Sequence, residues 1–78
     1  MSITKNELDK VKSSLQNGDY TRIAKSLNTS QPWISKVFAD LVLANRNPHV
    51  IWVALDIIAE RKANEKALIN RIDNVIND

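Results

Sequence analysis

The chain has 78 residues, 11 lysines and arginines against 9 aspartates and glutamates, and no cysteine. One domain of this size buries only about 60% of the surface its unfolded form exposes, so oligomerisation would add to a marginal stability. The composition excludes disulfides and thiolate metal sites. A polar N-terminus without an apolar signal core, and no apolar run near the roughly 20 residues that span a bilayer, predict a soluble, non-exported, cytoplasmic protein.

A net charge of +2 says little by itself, but its distribution is uneven. Residues 1–47 carry seven basic and four acidic side chains, and residues 48–78 carry four and five. The positive excess falls on the N-terminal part, as attraction to phosphates would require.

In chain order, a first helix is expected from Thr4. Thr4 and Glu7 have the spacing of a capping box, and Ile3 with Leu8 that of a hydrophobic staple. Leu8, Val11 and Leu15 mark its buried stripe. Gly18, the single glycine, fits a helix C′ position with positive φ, and Asp19 fits the N-cap of a second helix over residues 20–27. Ile23, Ala24 and Leu27 share one face of that helix, and small Ala24 suits a close helix crossing. Asn28-Thr29 turns the chain. Ser30 is expected to cap a third helix with Pro32 in its first turn, where a missing N–H costs nothing. Ile34, Val37 and Phe38 form its buried face.

After Phe38 the segment Asp40-Leu-Val-Leu-Ala44 would extend the third helix to Ala44 and push the following helix away from its own domain. That helix begins at Pro48, with Asn47 as N-cap, and runs to about Ala63. Nine of the ten residues from Val50 to Ala59 are apolar, so it calls for cover on more than one side, the second cover being another copy. A last amphipathic helix carries Leu68, Ile69, Ile72, Val75 and Ile76. Leu55, Ile58, Lys62, Glu65, Ile69, Ile72 and Ile76 alternate at spacings of three and four, but two charges interrupt that seam and favour a break near Ala63-Asn64. The fold class is all-α: three helices over residues 1–47, followed by one long or two helices over residues 48–78 used for packing and dimerisation, in a single compact or intertwined domain.

Residues 20–37 resemble the helix-turn-helix of phage repressors, Cro-like regulators and related small bacterial transcription factors. Asn28 stands where that family often has glycine, and the apolar run after the third helix departs from the family's sharp polar turn. The resemblance implies that the third helix enters the major groove while the second crosses the backbone. It places Ser30, Gln31, Ser35 and Lys36 at base edges, with Gln31 able to pair bidentately with adenine. Tyr20, Thr21 and Arg22 are then phosphate contacts, with Arg46 assigned equally to phosphate or to a plain surface role. The same polar face also fits an ordinary solvated helix.

Leu41, Leu43, Trp52, Leu55, Ile69 and Ile72 are the expected dimer interface, with Trp52 as its anchor. Trp33 reads as a wedge beneath a neighbouring helix, and His49 as a surface residue. One histidine and no glycine-rich loop or paired acids assemble no catalytic, cofactor or metal site, and no small-molecule substrate is indicated. The sequence therefore points to a dimeric DNA-binding regulator of repressor type, with double-stranded DNA and a second copy, domain-swapped through the displaced helix, as partners. The competing reading is a helical interaction module, such as an assembly protein, antirepressor or adaptor, that uses the same scaffold without DNA. An architectural DNA protein is disfavoured by the weak net charge.

Overall fold

Thr4 opens the first helix as its spacing requires. Its hydroxyl accepts the Glu7 N–H at 3.2 Å, and the Glu7 carboxylate accepts the Thr4 N–H at 2.9 Å. The computed structural model describes residues 2–76, all of whose regular elements are helices. They are α1 (Lys5–Ser14), α2 (Asp19–Ser26), α3 (Gln31–Ala39), α4 (Leu41–Arg46) and α5 (Pro48–Ile76).

The connection from α1 to α2 differs from the expected one. α1 closes at Leu15, three residues before Gly18, and Gly18, at φ 93°, is the residue that enters α2. Asp19 is therefore inside the helix instead of capping it. Its side chain is buried, and the carboxylate accepts the Gln16 N–H at 2.8 Å. The glycine supplies the left-handed turn, and the aspartate is freed for a tertiary role.

α2 ends as a Schellman motif. Asn28 adopts φ 55°, its N–H reaches the Lys25 carbonyl at 3.2 Å, and the Thr29 N–H reaches the Ala24 carbonyl at 2.8 Å. Asn tolerates the left-handed conformation better than other residues with a Cβ. Replacing Asn28 by alanine is expected to cost about 1 kcal/mol, while glycine should be tolerated without loss. Urea unfolding midpoints of the two variants check this. Ser30 then caps α3 by accepting the Trp33 N–H, with Pro32 in the first turn as expected.

The third helix does not run on to Ala44. It stops at Asp40, which takes an extended conformation and accepts the Val42 and Leu43 N–H groups at 2.9 and 3.3 Å, starting α4 afresh. The bend turns Ala44 into the core and leaves Val42 exposed. Asn47 stands directly before Pro48 as expected, and it has a second role. Its amide donates to the Leu43 carbonyl at 2.9 Å, closing α4.

α5 is one continuous helix of 29 residues, with no break near Ala63-Asn64. Neither glycine nor proline occurs inside it after Pro48. The charges that interrupt the apolar seam are no obstacle to a helix: Lys62 and Glu65 are exposed, and Lys, Glu, Ala and Leu all have high helix propensity.

A single core joins all five helices through Leu8, Ile23, Ala24, Ile34, Val37, Phe38, Ala44, Val50, Ile51, Ala54 and Ile57. It draws on residues on both sides of position 47. Because Val50, Ile51, Ala54 and Ile57 pack into the same core as α1 to α4, α5 is not displaced from the domain. Trp33 and Leu41 are half-buried against this core. Beyond Arg61, α5 leaves the body of the domain, and every residue from 62 to 76 is exposed. A helix of this length spans about 44 Å, which accounts for overall dimensions of 52 × 25 × 18 Å.

Candidate nucleic-acid interface

α3 is divided cleanly into two faces. Ile34 and Val37 are completely buried and Phe38 nearly so, while Gln31, Ser35 and Lys36 are exposed, with Ser30 exposed at the cap. Gln31 and Ser35 lie one turn apart on one side of the helix, and Lys36 is about 100° further round, at the far edge of the same exposed arc. The buried face fixes the rotation of this helix about its axis. A one-residue rotation would drive Ser35 or Lys36 into the core, so the outward direction of the polar strip is set by packing.

α2 lies directly against α3, and the two meet at the polar strip. The Thr21 hydroxyl donates to Gln31 Oε1 at 3.3 Å. This bond restrains the Gln31 amide while leaving its NH₂ free to donate. Thr21 is half-buried and Gln31 is exposed.

The other residues expected at phosphates are distributed differently. Tyr20 packs its ring against Phe38, edge to face, with centroids 5.7 Å apart. Its aromatic body thus serves the core. Arg22 is directed to α5 and pairs with Glu60 at 3.3 Å. Both side chains are more than half exposed, and an ion pair of that kind contributes at most about 1 kcal/mol. Arg46 is exposed at the last residue of α4, on an element separate from the α2 and α3 strip. Of the sequence-derived positions, the structure brings Thr21 and the α3 residues together and holds Arg22 to one side.

Two long-range anchors hold the helices that surround this surface. Arg61 reaches from α5 to both sides of the α1 to α2 connection, donating to the Ser14 carbonyl at 2.9 Å and pairing with the Asp19 carboxylate. It thereby satisfies a carbonyl at the end of α1 and the buried carboxylate that begins α2. Burial pushes the Asp19 carboxyl up, but the Gln16 N–H, the bond and charge of Arg61 and the charge of Arg22 outweigh it and hold the group below its ordinary range. Asn45 acts similarly at the other end: its side chain accepts from the Ile3 N–H at 2.7 Å and donates to the Ile3 carbonyl at 3.2 Å, fastening the chain before α1 to α4. Both anchors span 42 residues of sequence, so no local pattern announces them.

His49 is exposed in the first turn of α5. Among the described residues no group of three or more His, Cys, Asp or Glu side chains is placed to hold a metal ion. No described helix is both long and apolar enough to cross a membrane. Of the expected dimer-interface residues, Trp52, Leu55, Ile69 and Ile72 are exposed, and Leu41 and Leu43 are half-buried. No family model matches the chain, and no curated protein or solved structure shows significant similarity to it.

Proposed function

We propose that the chain is a sequence-specific DNA-binding regulator that acts as a dimer, with α2 and α3 working as a helix-turn-helix and α3 lying in the major groove. The observation that carries this reading is the polar strip of Ser30, Gln31, Ser35 and Lys36 on a helix whose opposite face is completely buried. A short helix held rigidly by its core face and presenting amide, hydroxyl and ammonium groups outward is what base-edge recognition needs. The Thr21 bond to Gln31 adds a restraint on the best base reader. Regulation by repression, in a bacterial or phage setting, follows from the sequence resemblance.

Selection from a randomised duplex pool, followed by fluorescence anisotropy at two salt concentrations, tests the proposal. Enrichment of a palindrome, with half-sites about 34 Å apart or a multiple of that, is the expected result. Salt-sensitive binding without enrichment would reassign the chain as an architectural protein.

The exposure of Trp52 and Leu55 favours a second reading, a protein interaction module. Trp52 is 66% exposed on the apolar half of α5, and it borders a cavity of about 350 Å³ lined also by Ile3, Ala44, Pro48, Ile51 and Leu55. Failure of the selection by a well-folded protein would move the assignment to this module.

A further inference from the structure

α5 repeats its core-facing pattern after it has left the core. Val50, Ile51, Ala54, Ile57 and Ile58 are buried on one stripe of the helix. Eighteen residues later, five full turns at 3.6 residues per turn, the same stripe carries Leu68, Ile69, Ile72, Val75 and Ile76. The second set has nothing beneath it, and its members are 49–74% exposed. The helix therefore carries its buried face past the edge of its own domain.

The geometry points to a second copy of this chain as the occupant, its projecting helix packed antiparallel on this one through residues 65–76. The charges beside the stripe select that orientation. Lys66 and Asp73 lie on the same flank, two turns apart. A two-fold axis perpendicular to the helices sets each flank against itself in reverse, so Lys66 meets Asp73 of the second copy, twice. In that register Ile69 packs against Ile72 of the second copy, Leu68 against its Val75, and Glu65 faces its Ile76 at the end next to the domain body. A parallel pair would stack Glu65 on Glu65 and Lys62 on Lys62 along the seam, with no Lys66 to Asp73 pairing.

The area is adequate. Covering five half-exposed aliphatic side chains from each of two copies removes on the order of 1,000 Å² from water, the lower bound for a specific interface. The antiparallel arrangement also brings Ile76 of the second copy to a cleft of about 250 Å³ between the end of α1 and α5, lined by Ser14, Gln16, Ile58 and Glu65 among others. This pairing uses no residue of α2 or α3, so it stands or falls independently of DNA recognition.

Sedimentation equilibrium of the full chain without DNA, from about 1 to about 100 µM, is expected to show a reversible dimer. Ile72→Asp should raise its Kd at least about 100-fold while the circular dichroism of the domain persists. Lys66→Glu should weaken the dimer about tenfold, and adding Asp73→Lys in the same chain should restore it. Because the chain has no cysteine, a mixture of Ile69→Cys and Ile72→Cys chains reports orientation: mixed disulfides are expected, and disulfides between like chains would establish the parallel pair. A monomer at the highest concentration, a dimer indifferent to Ile72→Asp, or a charge swap that fails to restore would each overturn the assignment.

Discussion

Asp19→Ala is expected to destabilise the folded chain by about 3 kcal/mol, the low end of the range for removing one member of a buried ion pair. The low end applies because Arg61 keeps 20% of its side chain in water and can turn outward when its partner is gone. Two further losses follow in the same variant. The Gln16 N–H loses its acceptor, and α2 loses the acidic group at its N-terminal end, where the helix dipole favours one. Because Arg61 also holds the Ser14 carbonyl, its release loosens the end of α1 together with the start of α2.

The same carboxylate makes a pH prediction. Asp19 is held below its ordinary value of 3.8 in the folded chain, so folding favours its ionised form. Its contribution is complete above the unfolded value and is lost as pH falls through the lower folded value. Asp19→Asn removes that titration while keeping the shape. The stability difference between the parent chain and Asp19→Asn is expected to be constant from pH 7 down to about pH 4 and to narrow below it. Urea unfolding at a series of pH values measures both curves. A gap that stayed constant into strong acid would mean that the Arg61 pairing contributes nothing beyond packing.

Asp19 also shows which parts of the fold were legible in the sequence. Features whose partners lie within four residues could be read directly: Thr4 with Glu7, Asn28 in the left-handed turn, Ser30 with Trp33, Pro48 at a helix start. The core stripes of α2 and α3 were equally legible, because helical periodicity registers burial without naming the partner. The bend at Asp40 is masked in the sequence, since Leu41 to Ala44 continue the apolar character of Phe38 and an apolar run does not show a bend. The roles of Asp19, Asn45 and Arg61 depend on partners some 42 residues away, and an aspartate next to a glycine reads as a cap. The continuity of α5 is hidden for another reason. Charges in an apolar seam weaken a coiled-coil contact, but they do not weaken the helix that carries them.

In the candidate interface, the exposure of Gln31, Ser35 and Lys36 follows from the helical spacing of the buried Ile34, Val37 and Phe38, whereas the diversion of Arg22 to Glu60 and of Tyr20 to Phe38 has no local signal. The sequence places three polar or amphipathic side chains in a row at the start of α2. Only the packing of α5 and α3 on either side of that helix decides which of them stays available, and Thr21 is the one that reaches the α3 strip.

On the proposed function, Gln31→Ala is expected to lower affinity for the selected duplex by about 2 kcal/mol, near 30-fold, and to relax preference at one base pair only. The loss is specific because a bidentate amide discriminates between bases, while non-specific affinity rests on phosphate contacts that this variant keeps. Thr21→Val, which preserves shape and removes the hydroxyl, should reproduce part of the effect, since the Gln31 amide would no longer be restrained before binding. Arg22 provides the contrast. It must leave Glu60 before it can reach a phosphate, so Glu60→Gln should strengthen binding to all sequences alike and steepen the salt dependence by about one counterion. Anisotropy titrations on the selected duplex and on single-base variants separate these outcomes. If Gln31→Ala weakened every duplex equally, the amide would be a backbone contact, and base reading would pass to Ser35 and Lys36 one turn further along α3.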